Sequence, residues 1–305
     1  MSSPVAPLQD RRLRGIVFVL AGYFCFTVID SCAKWLTIAG MPTGEVVFVR
    51  YAGQLLFVVL LLGPRSGADM LRTRRPWLEV VRGVCLLAST AANFLALSFL
   101  PLTVTSSINF TMPLVLCALS IPLLGEQVGW RRWLAIGIGF IGILVIVRPG
   151  TQAFHPAVLL SLTNVVFVAS YMILNRKLAG VDSATTQQFY AGLVATVCVA
   201  GFAIHGWTWP VDRVGWFCFV LIGVAALVAH QFITIAHRYA PASVLAPFAY
   251  LQIVSMTASS WLIFNQPPDV WIFVGVPIVI GSGLYIWLRE RALQKGAVTE
   301  VAPQD

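Results

Sequence analysis

Asp30, Lys34 and Arg50 are ionisable residues set in runs otherwise too apolar to hold a charge. A charge at the centre of a bilayer costs at least about 2.5–3.5 kcal/mol on insertion scales, so such groups are functional candidates by default. Asp30 stands four residues before Lys34, the favourable order for a pair on one helix face. Counted from the basic end of its run, Asp30 lies about 15 residues or roughly 22 Å deep. Arg50 lies about seven residues, roughly 10 Å, from the opposite face. The two therefore sit at similar depth on consecutive helices. One reading makes Asp30, Lys34 and Arg50 an ionic group at the outer end of a cavity. The other lets Lys34 snorkel to the interface and leaves Asp30 and Arg50 as a static helix clamp.

Neutral polar residues form a second set: Asn93, Asn109, Asn164, Tyr171, His230, Gln231, Tyr250 and Gln252. An amide or hydroxyl in hydrocarbon needs a partner, which a water-filled cavity or a substrate supplies. The alternative is a bond between helices, worth roughly 0.6–2 kcal/mol. His230 has an ordinary titration range near neutrality, so it reads either as a proton-coupling group or as a neutral ring bonded to a backbone carbonyl. Glu79 with Arg82 reads as a cytoplasmic surface pair, and Glu126 with Arg131 or Arg176 as a surface pair or an inner gate.

The elements that must hold these residues are membrane helices. Of 305 residues, 58% are hydrophobic and 10% charged, and the mean hydropathy is +0.85. Soluble domains carry about 25% charged residues. The net charge of +8 sits in short loops and argues for orientation, not for nucleic acid. All six cysteines fall inside apolar runs without metal-ligand spacing, which implies neither a disulfide framework nor a metal site. The four histidines are scattered, unlike the concentrated site of a membrane enzyme. No phosphate-binding loop of the GxxxxGK[ST] type occurs, and no cofactor is implied.

Ten apolar runs, each near the roughly 20 residues a span needs, lie at about 15–38, 43–62, 77–99, 102–124, 130–148, 156–178, 184–205, 213–237, 242–264 and 269–289. The run from Gly15 is too long for the core of a signal peptide and reads as the first span. Leu100-Pro101 and Ala240-Pro241 leave room only for tight helical hairpins. Most Lys and Arg fall on the side that carries residues 1–14, the loop 63–76 and residues 290–305, which is therefore cytoplasmic. Both termini lie there, and 290–305 reads as a disordered tail. A weak repeat relates 15–148 to 156–289: Ala96 and Pro101 recur 140 positions on as Ala236 and Pro241. Five spans per half, an odd number, make the halves inverted relative to each other, the arrangement used for alternating access around a midplane site. The expected fold is thus an all-α membrane protein of ten spans in two inverted five-helix repeats.

Several landmarks together resemble the EamA-like branch of the drug/metabolite transporter superfamily. They are Lys34 near the end of span one, Pro42 to Arg50 opening span two, the hairpin at Pro101, Gly125-Glu126 closing span four, and the glycine-rich GIGFIGILVIVRPG of span five. The second half departs from the pattern, with Asn265-Gln266 in place of Gly-Glu and Pro277 interrupting the last helix. The resemblance implies an inner-membrane exporter of small metabolites, with amino acids, aromatic or otherwise neutral, as the leading substrate class. Sugars and nucleotide-linked metabolites are the alternative, ahead of a channel or a membrane enzyme. The expected partners are a small-molecule substrate and the lipid bilayer, and the reading is compatible with a homodimer.

Overall fold

The computed structural model describes residues 8–124, 130–151, 154–178, 181–204, 207–240 and 242–300. Glu126, Gly125, Pro241, His205 and Gly180 lie outside them. A backbone in hydrocarbon must satisfy its own hydrogen bonds, and the described residues do so entirely with helices. In chain order these are α1 (Leu8–Ile38), α2 (Thr43–Phe57), α3 (Gly63–Ser66), α4 (Pro76–Leu97), α5 (Leu102–Asn109), α6 (Met112–Leu124) and α7 (Trp130–Val147). The second half holds α8 (Val158–Leu178), α9 (Ala184–Ile204), α10 (Arg213–Tyr239), α11 (Ala242–Leu245), α12 (Gln252–Leu262) and α13 (Val270–Glu300). Among the described residues, seven helices are long and apolar enough to cross a membrane, and Trp133–Val147 is a shorter apolar one.

Chain punctuation follows local chemistry. Gly40 adopts a φ of 96°, and Met41 N donates to Leu36 O at 3.0 Å, which closes α1 in the manner glycine favours. Pro76 and Pro101 stand at or just before the first turns of α4 and α5, where no backbone donor is missed. Asp212 caps α10 by accepting from Gly215 N at 2.7 Å.

Four sequence expectations change. The fourth run is two helices, broken at Phe110-Thr111 just before Pro113. The ninth is α11, a 3₁₀ stretch over Ala246–Leu251 that contains Pro247, and α12. A proline ring cannot keep the carbonyl bond of the preceding turn, so each run is interrupted. Pro277, by contrast, passes inside α13 without breaking it. The buried neighbours Val276 and Val279 hold the helix on both sides of the lost bond. That helix also continues through residues 290–300, which the sequence assigns to a disordered tail.

The packing is symmetric under exchange of the halves. The α1–α10 contact corresponds to α8–α4, α2–α10 to α9–α4, and α1–α12 to α8–α6. The pairs α2–α9 and α7–α13 map onto themselves. Close approach depends on small residues, as expected where lipid removes the hydrophobic drive between helices. A Cβ added at Gly53 would stand 3.0 Å from Gly223 Cα, so α2 and α10 meet backbone to backbone. The largest buried cluster spans both halves, from Ile29, Tyr51 and Phe94 to Ala195, Ile222 and Ala229.

Candidate functional site

Asp30 belongs to the inward face of α1. Phe24 is exposed on the lipid side, and six residues at 100° each turn Asp30 well away from it. Asp30 nevertheless remains only half-buried. Its carboxylate accepts from Asn93 Nδ2 at 3.0 Å. Asn93 Oδ1 is buried without a partner. Arg50, 4% exposed on α2, is near enough for its charge to act on Asp30. Among the described residues the two form no ion pair, and Arg50 Nη1 is buried and unpartnered. Its guanidinium lies 4.3 Å from the Tyr51 ring, and Tyr51 is fixed in turn by Leu86 O and Thr90 Oγ1 on α4.

Lys34 joins neither Asp30 nor the interface, which corrects both sequence readings. It is 1% exposed, and its Nζ donates to Leu97 O at 3.1 Å and to Leu100 O. Those carbonyls lie at the end of α4, where the hairpin before Pro101 leaves them without helical partners. The ammonium therefore caps a helix C-terminus, the end that favours a cation. Phe264 lies 5.5 Å from it.

The neutral residues divide. Asn164 Nδ2 donates to Asn109 Oδ1 at 2.7 Å, and Ser89 Oγ donates to Asn164 Oδ1 at 2.7 Å, which ties α4, α8 and α5 together. Elsewhere, α1 meets α12 through Ser31–Ser259 at 2.6 Å and Thr27–Ser255 at 2.8 Å. His230 stacks edge-on to Phe26 with centroids 5.4 Å apart, and its Nε2 is buried without a partner. The bond to a backbone carbonyl expected from sequence is absent at that nitrogen. Tyr250 packs edge-on to Phe110, 5.4 Å away, and its hydroxyl fills the space left at Gly283. Phe110 and Tyr250 lie in the broken stretches of the two halves. Gln231 and Gln252 are half-buried nearby in sequence, on α10 and at the start of α12.

Sequence reasoning missed the most connected cation. Arg82 and Glu79 are not surface charges: they are 2% and 0% exposed. Arg82 contacts Glu79 Oε2 through Nε at 2.9 Å and Nη2 at 2.7 Å. It also donates to Asn175 Oδ1 at 3.2 Å and to the Gln187 carbonyl, and stacks on Tyr171. Tyr171 thus belongs to this cluster and not to the Asp30 group. Asp182 adds bonds to Thr73 Oγ1 at 2.6 Å and to Arg74 N at 3.1 Å. These contacts join the halves at one end of the molecule. At the other end the buried Glu45 carboxylate accepts from Thr208 N and, at 2.8 Å, from Thr208 Oγ1, and Arg148 pairs with Asp269. The interior between these ties is bordered by a carboxylate, a guanidinium, amides and aromatic rings, and no cluster of metal-ligating residues occurs among the described residues.

Comparison with known proteins gives this arrangement its context. The chain is 28% identical over 279 residues to an S-adenosylmethionine uptake transporter of Rickettsia prowazekii, covering 92% of this chain and 94% of that protein. It is 28% identical over 281 residues to a riboflavin transporter of Vibrio cholerae, with the same coverage. A crystal structure shares the fold, with a TM-score of 0.59 at 18% identity over 90% of this chain and 98% of that one. The model of the EamA-like transporter family matches twice, at residues 13–148 and 155–288, once for each half of the symmetric packing. The chain therefore belongs to the EamA-like transporter family, as a multi-pass transporter of small metabolites in the bacterial inner membrane.

Proposed function

We propose that the protein is a ten-span secondary transporter with both termini cytoplasmic, which moves a zwitterionic metabolite by alternating access. The carrying observation is that Asp30 on α1 is half-buried while the buried Arg50 on α2, not ion-paired with it, keeps an Nη1 without a partner. A carboxylate and an underused guanidinium on neighbouring helices suit a substrate with its own cation and anion, as in an α-amino acid or a derivative of one. Asn93 Oδ1 adds an acceptor. Phe26, His230, Phe110 and Tyr250 offer ring faces and edges to a planar group. The naming of one relative for S-adenosylmethionine, an amino-acid derivative with a purine ring, supports this class. The exchange symmetry of the packing supports inversion of the halves, and the two broken helices that meet as α5 and α12 support a site between them. On this reading the Arg82 cluster and the Glu45–Thr208 contact are the inner and outer ties that open in turn.

A second reading rests on the same rings together with the riboflavin relative: a neutral heteroaromatic substrate stacked near Tyr250. Counterflow in proteoliposomes separates the two. Protein loaded inside with unlabelled S-adenosylmethionine, aromatic amino acids or riboflavin is offered the labelled compound outside. Saturable uptake stimulated by an internal zwitterion is expected. Stimulation by riboflavin alone would replace the zwitterion reading, and a flux that neither saturates nor responds to internal substrate would overturn the carrier itself. The same vesicles, with gradients imposed in each direction, report whether export is the favoured flux.

A further inference from the structure

Away from the central site, α7 and α13 form a V. Its closed end is made by glycines: a Cβ at Gly142 would lie 3.1 Å from Gly275 O, and one at Gly275 would lie 2.8 Å from Gly142 O. Nearer the start of α7 the helices part. Nothing lies within 4 Å of a Cβ built at Gly281. The opening is a groove of about 430 Å³, with Leu134, Ile138 and Gly281 along it and Ala135 and Ser282 buried at its floor. Its walls are almost wholly apolar, yet its mouth is cationic. Arg131 lines it, with the exposed Trp130 ring 5.5 Å from the guanidinium. Tyr285 lines it from α13, and Arg289 stands one turn further along the same helix face, at the four-residue spacing that runs from Gly281 through Tyr285.

We infer that this groove is a binding site for an anionic glycerophospholipid of the inner leaflet. One acyl chain lies along Leu134, Ile138 and Gly281, and the phosphate sits between Arg131 and Arg289. The seven helical steps from Arg131 to Ile138 span about 10 Å, the reach of a chain descending from the headgroup level. Trp130 and Tyr285 are residues that prefer that level, where one end of the ring is wet and the other apolar. A cation beside an anionic leaflet gains attraction that a zwitterionic lipid does not supply. The assignment to the inner leaflet rests on the orientation proposed above. The groove itself does not depend on whether the protein transports.

Native mass spectrometry of the purified full chain, titrated in detergent with phosphatidylglycerol or phosphatidylcholine, reads bound lipid directly. The expected result is one retained phosphatidylglycerol per chain, favoured over phosphatidylcholine by about fivefold or more. Arg131→Gln should lower that retention about fivefold. Gly281→Leu should abolish it with an unchanged melting temperature, since the new side chain enters open space. Equal retention of the two lipids overturns the inference, as does unchanged retention in Gly281→Leu. A wild-type dimer that Gly281→Leu converts to a monomer would make the groove a self-interface instead and overturn it too. Because lipid retention is read without transport, failure of the carrier reading and failure of this site remain distinguishable.

Discussion

Replacing Arg82 by alanine tests whether the buried cluster holds the halves together. Arg82 is 2% exposed and Glu79 0%, and the guanidinium approaches Glu79 Oε2 at 2.7 and 2.9 Å. Glu79 Oε1 already has no partner. Removing the cation strands a carboxylate in the interior, which costs about 3–5 kcal/mol, because the desolvation of a buried ion is then uncompensated. At roughly 2 °C per kcal/mol for a chain of this size, melting should fall by about 6–10 °C. Scanning fluorimetry on the tryptophans in detergent measures it. The double variant Glu79→Gln with Arg82→Met removes both charges and should recover more than half of the loss. Arg82→Lys keeps the charge without the planar fork that reaches Asn175 Oδ1 and the Gln187 carbonyl, so it should fall between. An alanine variant melting within 2 °C of wild type, or a double variant as unstable as the single one, would refute the argument.

Three further outcomes follow from the contacts. Asp30→Asn and Arg50→Gln should each lower counterflow of a zwitterionic substrate by about 10–100-fold, the effect of one charged hydrogen bond of roughly 1.5–3 kcal/mol. Wild-type rates in both variants, at equal amounts of folded protein in the vesicles, would remove these residues from the site. Lys34→Met should lower stability by about 1.5–3 kcal/mol, through the carbonyls of Leu97 and Leu100, while KM changes less than twofold. A KM rise of tenfold without loss of stability would make Lys34 a substrate group after all. Gly223→Val should abolish folded protein on size-exclusion chromatography, because even a Cβ there would lie 2.9 Å from Gly53 Cα and backbone cannot yield. A monodisperse, active Gly223→Val protein would show that α2 and α10 can separate without cost.

How much of this was legible in the chain depends on whether a residue's meaning is set locally or by what lies opposite. The helical state of the apolar runs was legible, since about 20 apolar residues must be helical in hydrocarbon whatever their neighbours. The breaks before Pro113 and at Pro247 carried a local signal as well, two proline-interrupted runs in corresponding places, and that pattern also points to a site between the halves. Pro277 carried the same local signal with the opposite result, because packing around Val276 and Val279 holds α13 intact. Glu79 and Arg82, three residues apart, have the spacing of an ordinary surface pair. Only the approach of α8 and α9 buries them.

Lys34 makes the point most sharply. Its cost in hydrocarbon was readable, but what offsets it was not, because the unpaired carbonyls it caps belong to the end of α4, 63 and 66 positions away. Polar residues in the membrane thus divide by whether the fold has already answered them. Lys34, Arg82, Asn109 and Asn164 are answered by other protein atoms and serve as joints. Arg50 Nη1, Asn93 Oδ1 and His230 Nε2 are not. Each unanswered buried atom costs about 1–3 kcal/mol. A fold that leaves these three without partners, with Asp30 half-open on the inward face of α1, favours any ligand whose groups complement them. The same deficit favours release when a change of packing returns water to those atoms, and a carrier needs both.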